Sequence, residues 1–172
     1  MSLRRAAAGA VAAALAAIVL GGAGTAVAAE DPAEIVIGHS VQGREITARH
    51  LGDPAAPVQL VVLGQMHGNE EGGRKVVTEL LDSAIPAGVG VWVVRSLNPD
   101  GYEADTRVNA HGVDLNRNFP AAWREQRRGT QMWSGPRAES EPETRAMRHF
   151  VERVRPAALI SFHQAFDLVD IT

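Results

Sequence analysis

The chain has 172 residues, 17 of them basic and 20 acidic, for a net charge of −3. That balance argues against nucleic acid as a partner. There is no cysteine, which excludes a disulfide framework, and the length suits one domain with one core.

Arg4 and Arg5 form a short basic stretch ahead of an alanine-rich apolar run over residues 6–20, and Ala26-Val27-Ala28 reads as a small-residue cleavage site. The pattern predicts a secretory signal peptide over residues 1–28 and a secreted or cell-envelope protein. The apolar run is short for a span and no charged stop-transfer flank follows it, so no membrane segment is expected in the mature chain. The paired arginines leave the general and twin-arginine export routes both open. Residues 29–172 then read as one domain, without internal repeat or second-domain linker.

Residues 34–39 and 44–51 are short β-type runs joined through Val41-Gln42-Gly43, as in a hairpin. Residues 58–63 are almost continuously apolar, the pattern of a strand covered on both faces. Val76, Val77, Leu80 and Leu81 give helical spacing over residues 74–82, and residues 89–94 form a second buried strand. Residues 98–120 show neither period, so their many polar side chains require another explanation. Ser140, with Pro142 in the first turn and Glu143 three residues on, predicts a capping box. The helix it opens would bury Met147, Phe150, Val151 and Val154. Residues 158–162 are a third buried strand. Buried strands alternating with amphipathic helices predict an α/β fold, a three-layer α/β/α domain around a central mixed sheet.

Open α/β sheets keep their sites in polar loops at strand ends. Here those loops carry His67 and Glu70, in Gln65-Met66-His67-Gly68-Asn69-Glu70, and His163, in Ser161-Phe162-His163-Gln164. Two imidazoles and a carboxylate make a three-ligand set that leaves one zinc position open for water, as in a catalytic site. Spacing alone does not separate Glu70 from Glu71 as the carboxylate. His39 and His50 fall on the hairpin and are expected at the surface, and His149 is expected to be solvated on its helix.

Residues 98–120 are more specific. They contain Asn98-Pro99-Asp100-Gly101 and Gly112-Val113-Asp114-Leu115-Asn116-Arg117-Asn118-Phe119-Pro120. With His67-Gly68-Asn69-Glu70 before them, and Ser140-Glu141-Pro142-Glu143-Thr144-Arg145 and His163 after them, the chain resembles the zinc carboxypeptidases of the carboxypeptidase A-like family. The resemblance implies one Zn2+ held by His67, Glu70 and His163, which selects Glu70 over Glu71. It implies that Asp114 orients the first zinc histidine. It assigns Asn116 and Arg117 to the terminal carboxylate of a peptide substrate, where a guanidinium fork binds bidentately and an amide adds a donor. Arg107 would polarise the scissile carbonyl and steady the oxyanion. The run from Thr106 to Pro120 also resembles the bacterial murein-peptide amidases of this family, which cleave a γ-D-glutamyl bond to diaminopimelate. Cell-wall peptides are thus a candidate substrate class.

The implied reaction is hydrolysis of a peptide or γ-glutamyl amide bond next to a free carboxylate, by zinc-activated water. In the family, the general-base glutamate and a tyrosine that closes over the substrate belong well beyond the third ligand. Asp167 and Asp170 are the acids after His163, and neither matches that glutamate's context. The expectation is the N-terminal part of a catalytic domain, its sheet incomplete at the C-terminal end. The alternative is a zinc-binding but inactive remnant. Export predicts a mature N-terminus beginning Ala29-Glu30-Asp31. N-terminal sequencing of protein recovered outside the cytoplasm checks it, and a chain still starting at Met1 would refute it.

Overall fold

In a computed structural model, which describes residues 34–164, the apolar runs become strands β1 (Glu34–His39), β2 (Glu45–Gly52), β3 (Val58–Leu63), β4 (Val89–Val94) and β5 (Ala158–Ser161). The signal-peptide reading, Asp167 and Asp170 lie outside the described residues. The strands form one mixed sheet in the order β1-β2-β4-β3-β5. β1 and β2 are an antiparallel hairpin, β2 runs antiparallel to β4, and β3 is parallel to both β4 and β5. Leu63 pairs with Val94 on one side and with Ser161 on the other. The three parallel strands therefore end level, and the loops that follow them leave from the same edge.

Alternation along β3 divides the core. Val61 and Leu63 join Ile46, Ala48, Val94, Met147 and Phe150 on one face. Val62 joins Leu51, Val77, Val91 and Val93 on the other. Helix α1 (Gly72–Leu81) covers the second face and helix α3 (Pro142–Val154) the first, which gives the three layers. α1 approaches the sheet so closely that a Cβ at Gly73 would collide with the Gly64 carbonyl, so glycine is required at that crossing. Among the described residues no helix is long and apolar enough to cross a membrane.

Residues 98–120 hold a one-turn helix α2 (Pro99–Glu103), capped by the Asn98 side chain, and a 3-10 turn at Leu115–Arg117. Neither is long enough to show a period. Three expectations are corrected. The helix α3 starts from Glu141, which makes no side-chain cap, and Ser140 does not form the capping box. Its hydroxyl instead donates to Glu141 at 2.6 Å, while Glu143 turns inward to accept from the Val41 N–H and from Asn109. β5 is not fully buried: it pairs on one side among the described residues, and Leu159 is 43% exposed. His50 is not a surface residue; it is 6% exposed, packed edge-on against Trp92 and bonded to Gln59 at 3.2 Å. The antiparallel β2–β4 pairing, invisible in the local sequence, sets His50 opposite Trp92.

Buried Glu141 and Glu143 share the Asn109 amide yet titrate in opposite senses. Burial would raise Glu141, but bonds from Ser140, Asn109 and His111 together hold it below its ordinary value. For Glu143 burial prevails over the Val41 and Asn109 bonds, and the Glu141 charge adds to it, so its carboxyl is raised. A raised folded value means that the contribution of Glu143 is full below the free-glutamate value and lost as pH rises through the folded value. Glu143→Gln cannot ionise. The melting temperature of the variant relative to wild type should climb as pH is raised from about 4 to about 8, and a pH-independent difference would contradict this account.

Candidate metal centre

The level ends of β3, β4 and β5 decide where the polar residues gather. The loop after β3 is pinned by Gln65, which is fully buried and went unnoticed in the sequence because a lone glutamine carries no pattern. Its amide donates to the Gly68 carbonyl at 2.9 Å and accepts from the Ser96 hydroxyl at 2.9 Å, and its own carbonyl accepts from the Leu97 N–H at 2.8 Å. Gly68 then lies against the backbone of Gly101 in α2, where any Cβ would collide. The Asn98 cap on the Gly101 N–H, at 2.8 Å, holds the other side of that contact. The ligand loop is thus clamped between the sheet and α2.

The clamp aims His67, Glu70 and His163 at one point. Their candidate ligand atoms all lie within 4.8 Å of one another. His67 Nδ1 is 2.8 Å from Glu70 Oε1 and 3.2 Å from His163 Nδ1, and His163 Nδ1 is 3.1 Å from Glu70 Oε2. Glu71, the rival carboxylate, stands exposed at the start of α1 and outside the group.

His67 Nε2 lies 3.0 Å from Asp114 Oδ1. Burial would raise the Asp114 carboxyl, but hydrogen bonds and charges from His67 and Arg107 outweigh it and hold the group below its ordinary value. An ionised carboxylate only accepts, so His67 donates from Nε2 and turns Nδ1 toward Glu70 and His163. The His163 imidazole is pushed below its ordinary value, first by burial and then by His67, which favours the neutral, ligating form. Deprotonated ring nitrogens and a carboxylate converging at about 3 Å are a donor set that a divalent cation takes. Ligand atoms held tetrahedrally at about 2.0–2.1 Å from zinc stand about 3.3 Å apart. The observed separations fit that ion.

Arg107 straddles the centre. Its Nε and Nη2 donate to Asp114 Oδ2 at 3.2 and 3.0 Å, and its Nη1 donates to Glu70 Oε1 at 3.1 Å. Asp114 also caps the 3-10 turn by accepting from the Asn116 N–H at 2.9 Å. Asn116 is exposed on that turn and Arg117 is partly so, its Nη1 on the Asn116 carbonyl at 3.0 Å. Asn118, not singled out in the sequence, is buried and ties the turn to the segment that follows. Its amide donates to the Ser134 carbonyl at 2.8 Å, to the Arg137 carbonyl at 3.1 Å and to the Ser140 hydroxyl at 2.9 Å.

A parallel-edged α/β sheet with two imidazoles and a carboxylate at its rim defines a single-metal site of the hydrolytic kind. The zinc carboxypeptidase family pattern matches residues 26–169, and the chain belongs to that family, whose members depend on zinc. It is 34% identical over 122 residues to murein peptide amidase A of Escherichia coli, covering 64% of this chain and 50% of that protein. It is 32% identical over 115 residues to the human carboxypeptidase N catalytic chain, covering 49% of this chain and 25% of that protein. Among solved structures, the murein-tripeptide amidase of Escherichia coli O157 superposes with a TM-score of 0.68 at 31% identity, over 80% of this chain and 63% of that one. Carboxypeptidase A from Helicoverpa armigera superposes with a TM-score of 0.62 over 78% of this chain and 41% of that one, and at 23% identity it shares the fold. The chain thus spans about half the length of the curated murein peptide amidase it matches.

Metal analysis after dialysis should find one zinc per chain. His67→Ala and His163→Ala should each release it, and Asp114→Ala should weaken it by about ten- to a hundredfold. Equal zinc in wild type and both histidine variants would refute the site.

Proposed function

We propose that this chain forms the zinc-binding part of an exported peptidase that hydrolyses a peptide or γ-glutamyl amide bond beside a free carboxylate, with cell-wall peptides as its substrate class. The observation that carries the reading is the convergence of His67, Glu70 and His163 next to Arg107 and the Asn116-Arg117 turn. The likeness to murein peptide amidase A supports the substrate class, and the basic, apolar and small-residue pattern of residues 1–28 supports export.

Zinc held by the three donors supplies Lewis acidity, lowering the pKa of a coordinated water and polarising a carbonyl. The side chains around it do the orienting. Asp114 fixes the His67 ring and its tautomer. Arg107 keeps Nε and Nη2 on Asp114, so moving Nη1 off Glu70 presents a charged donor to an oxyanion without losing the guanidinium's place. Arg117 and the Asn116 amide stand on the rim of the same turn, open to a substrate carboxylate. Neither carboxylate at the centre is free to accept the water's proton. Glu70 is a metal donor, and Asp114 is engaged by His67, Arg107 and the Asn116 N–H. That base comes from outside this group, and it governs a factor of about 10²–10⁴ in rate.

Arg117→Ala in the full-length protein tests the carboxylate grip. Losing a charge-assisted pair is worth about 1.5–3 kcal/mol, or roughly ten- to a hundredfold in kcat/KM. The loss should appear with a peptide carrying a free carboxylate and vanish with the same peptide amidated there. Equal loss on both substrates would overturn the assignment.

A further inference from the structure

Between Arg117 and Arg137 the chain carries Arg117, Arg124, Arg127, Arg128 and Arg137 against a single acid, Glu125, although the chain as a whole is acidic. Arg124, Arg127, Arg128 and Arg137 are all exposed. Outside the segment, Arg44 meets Asp100, Arg107 meets Glu70 and Asp114, and Arg148 meets Glu139 and Glu152, while Arg74 and Arg153 lie over rings and Arg145 on backbone carbonyls. Within this segment Arg137 reaches the Ala138 carbonyl at 3.3 Å and Arg128 lies over the Trp133 ring at 5.1 Å. Among the described residues, none of these four arginines is paired with an acid.

The segment has no regular secondary structure, yet its backbone is fastened. Ser134 is fully buried. Its carbonyl accepts from Asn118 at 2.8 Å and from the Trp123 indole at 3.2 Å, and its hydroxyl accepts from the Gln126 N–H at 2.9 Å. The Trp133 carbonyl accepts from the Asp114 N–H at 2.8 Å, which joins the segment to the residue that orients His67. Over this frame lies an open groove of about 540 Å³, lined by Arg127, Arg128, Gln126, Trp133, Pro136 and one acid, Glu125. Two guanidinium groups against one carboxylate, on a fixed backbone and within a segment of five arginines and one acid, are an arrangement for binding anions, and the indole adds a flat apolar floor.

We propose that this groove docks a polymer bearing repeated carboxylates, the peptide-bearing wall polymer on which the adjacent centre would act. This rests on the reading of the site as a wall peptidase. Three features favour such an occupant: the excess of arginine over acid along the segment, the fork geometry of guanidinium with carboxylate, and the hydrogen bonds that hold this segment to the Asp114–Arg117 turn through Trp133 and Asn118. A small anion is a poor fit, because one exposed pair changes affinity by no more than about fivefold. A chain that touches several arginines at once adds those contacts intramolecularly.

The test uses the zinc-loaded full-length protein and fluorescently labelled poly-γ-glutamate, with polyphosphate of matched charge and a neutral polymer for comparison. Anisotropy should show poly-γ-glutamate bound and the neutral polymer not, with affinity falling between about 0.05 M and about 0.15 M salt. R127Q/R128Q, both exposed and outside the metal-donor group, should bind several-fold and up to about twentyfold more weakly while keeping its zinc and its turnover of a small peptide. Turnover of that small peptide reports on the function reading, and polymer binding reports on the groove, so the two fail separately. Unchanged affinity in the variant, no binding at the lower salt, or tighter binding of polyphosphate than of poly-γ-glutamate would each overturn the proposal.

Discussion

The Asp114 carboxylate is the constraint on which the rest of the centre depends. It is fully buried, and a buried charge costs several kcal/mol unless its oxygens are all hydrogen-bonded. Here they are. His67 and the Asn116 N–H take Oδ1, and Arg107 takes Oδ2 with two donors. Each donor that offsets the burial cost is thereby positioned for chemistry. The histidine is held in one tautomer, the 3-10 turn is capped with Asn116 and Arg117 at its rim, and the guanidinium is brought beside Glu70. The Asp114 N–H faces the opposite way and fastens Trp133. One residue therefore links the metal donors, the carboxylate-facing turn and the arginine-lined groove.

Around that residue the polar groups form a frame, not a surface. Asp100 accepts from the Ser40 hydroxyl at 2.7 Å, from the Gln42 N–H at 2.9 Å and from Arg44 at 2.6 Å, which bolts the hairpin turn to α2. Glu143 accepts from the Val41 N–H at 3.0 Å and bolts the same turn to α3. Asn109 bridges Glu141 and Glu143 and also accepts from the Val113 N–H at 3.0 Å. The many polar side chains of residues 98–120 are explained this way. With almost no regular structure to satisfy its backbone, the segment draws on the side chains of Asn98, Asn109 and Asp114, and Glu141 and Glu143 hold Asn109 in turn. Such networks are costly when incomplete and rigid when complete. The rigidity serves a site that needs atoms placed within tenths of an ångström.

The strands and α1 were legible in the sequence because their signals are local. An apolar run of six residues in β3 or β4 already states that both faces are covered. The pairing of a His-x-x-Glu with a later histidine was legible as a candidate because ligand chemistry restricts residue types, and the family resemblance selected Glu70 over Glu71. Other features had no local signal. Ser140 and Glu143 have the spacing of a capping box, and the competing partners Val41 and Asn109 come from distant segments. His50 is buried because β4 places Trp92 opposite it. Gln65 and Asn118 matter through what they touch, and an isolated amide in a sequence does not announce its partners.

What the sequence determined by itself is the set of elements and the types of side chain at their ends, because backbone periodicity and ligand chemistry act over a few residues. Only the tertiary structure decided that His67 and His163, 96 residues apart, face each other at 3.2 Å, and it sets Glu70 against both and Asp114 behind His67, as the resemblance implied. That outcome comes from the common register of three parallel strands and from the Gly68–Gly101 contact, which brings α2 and its polar segment against the ligand loop. Register and close approach are properties of pairs of segments, and no single stretch of the chain contains them.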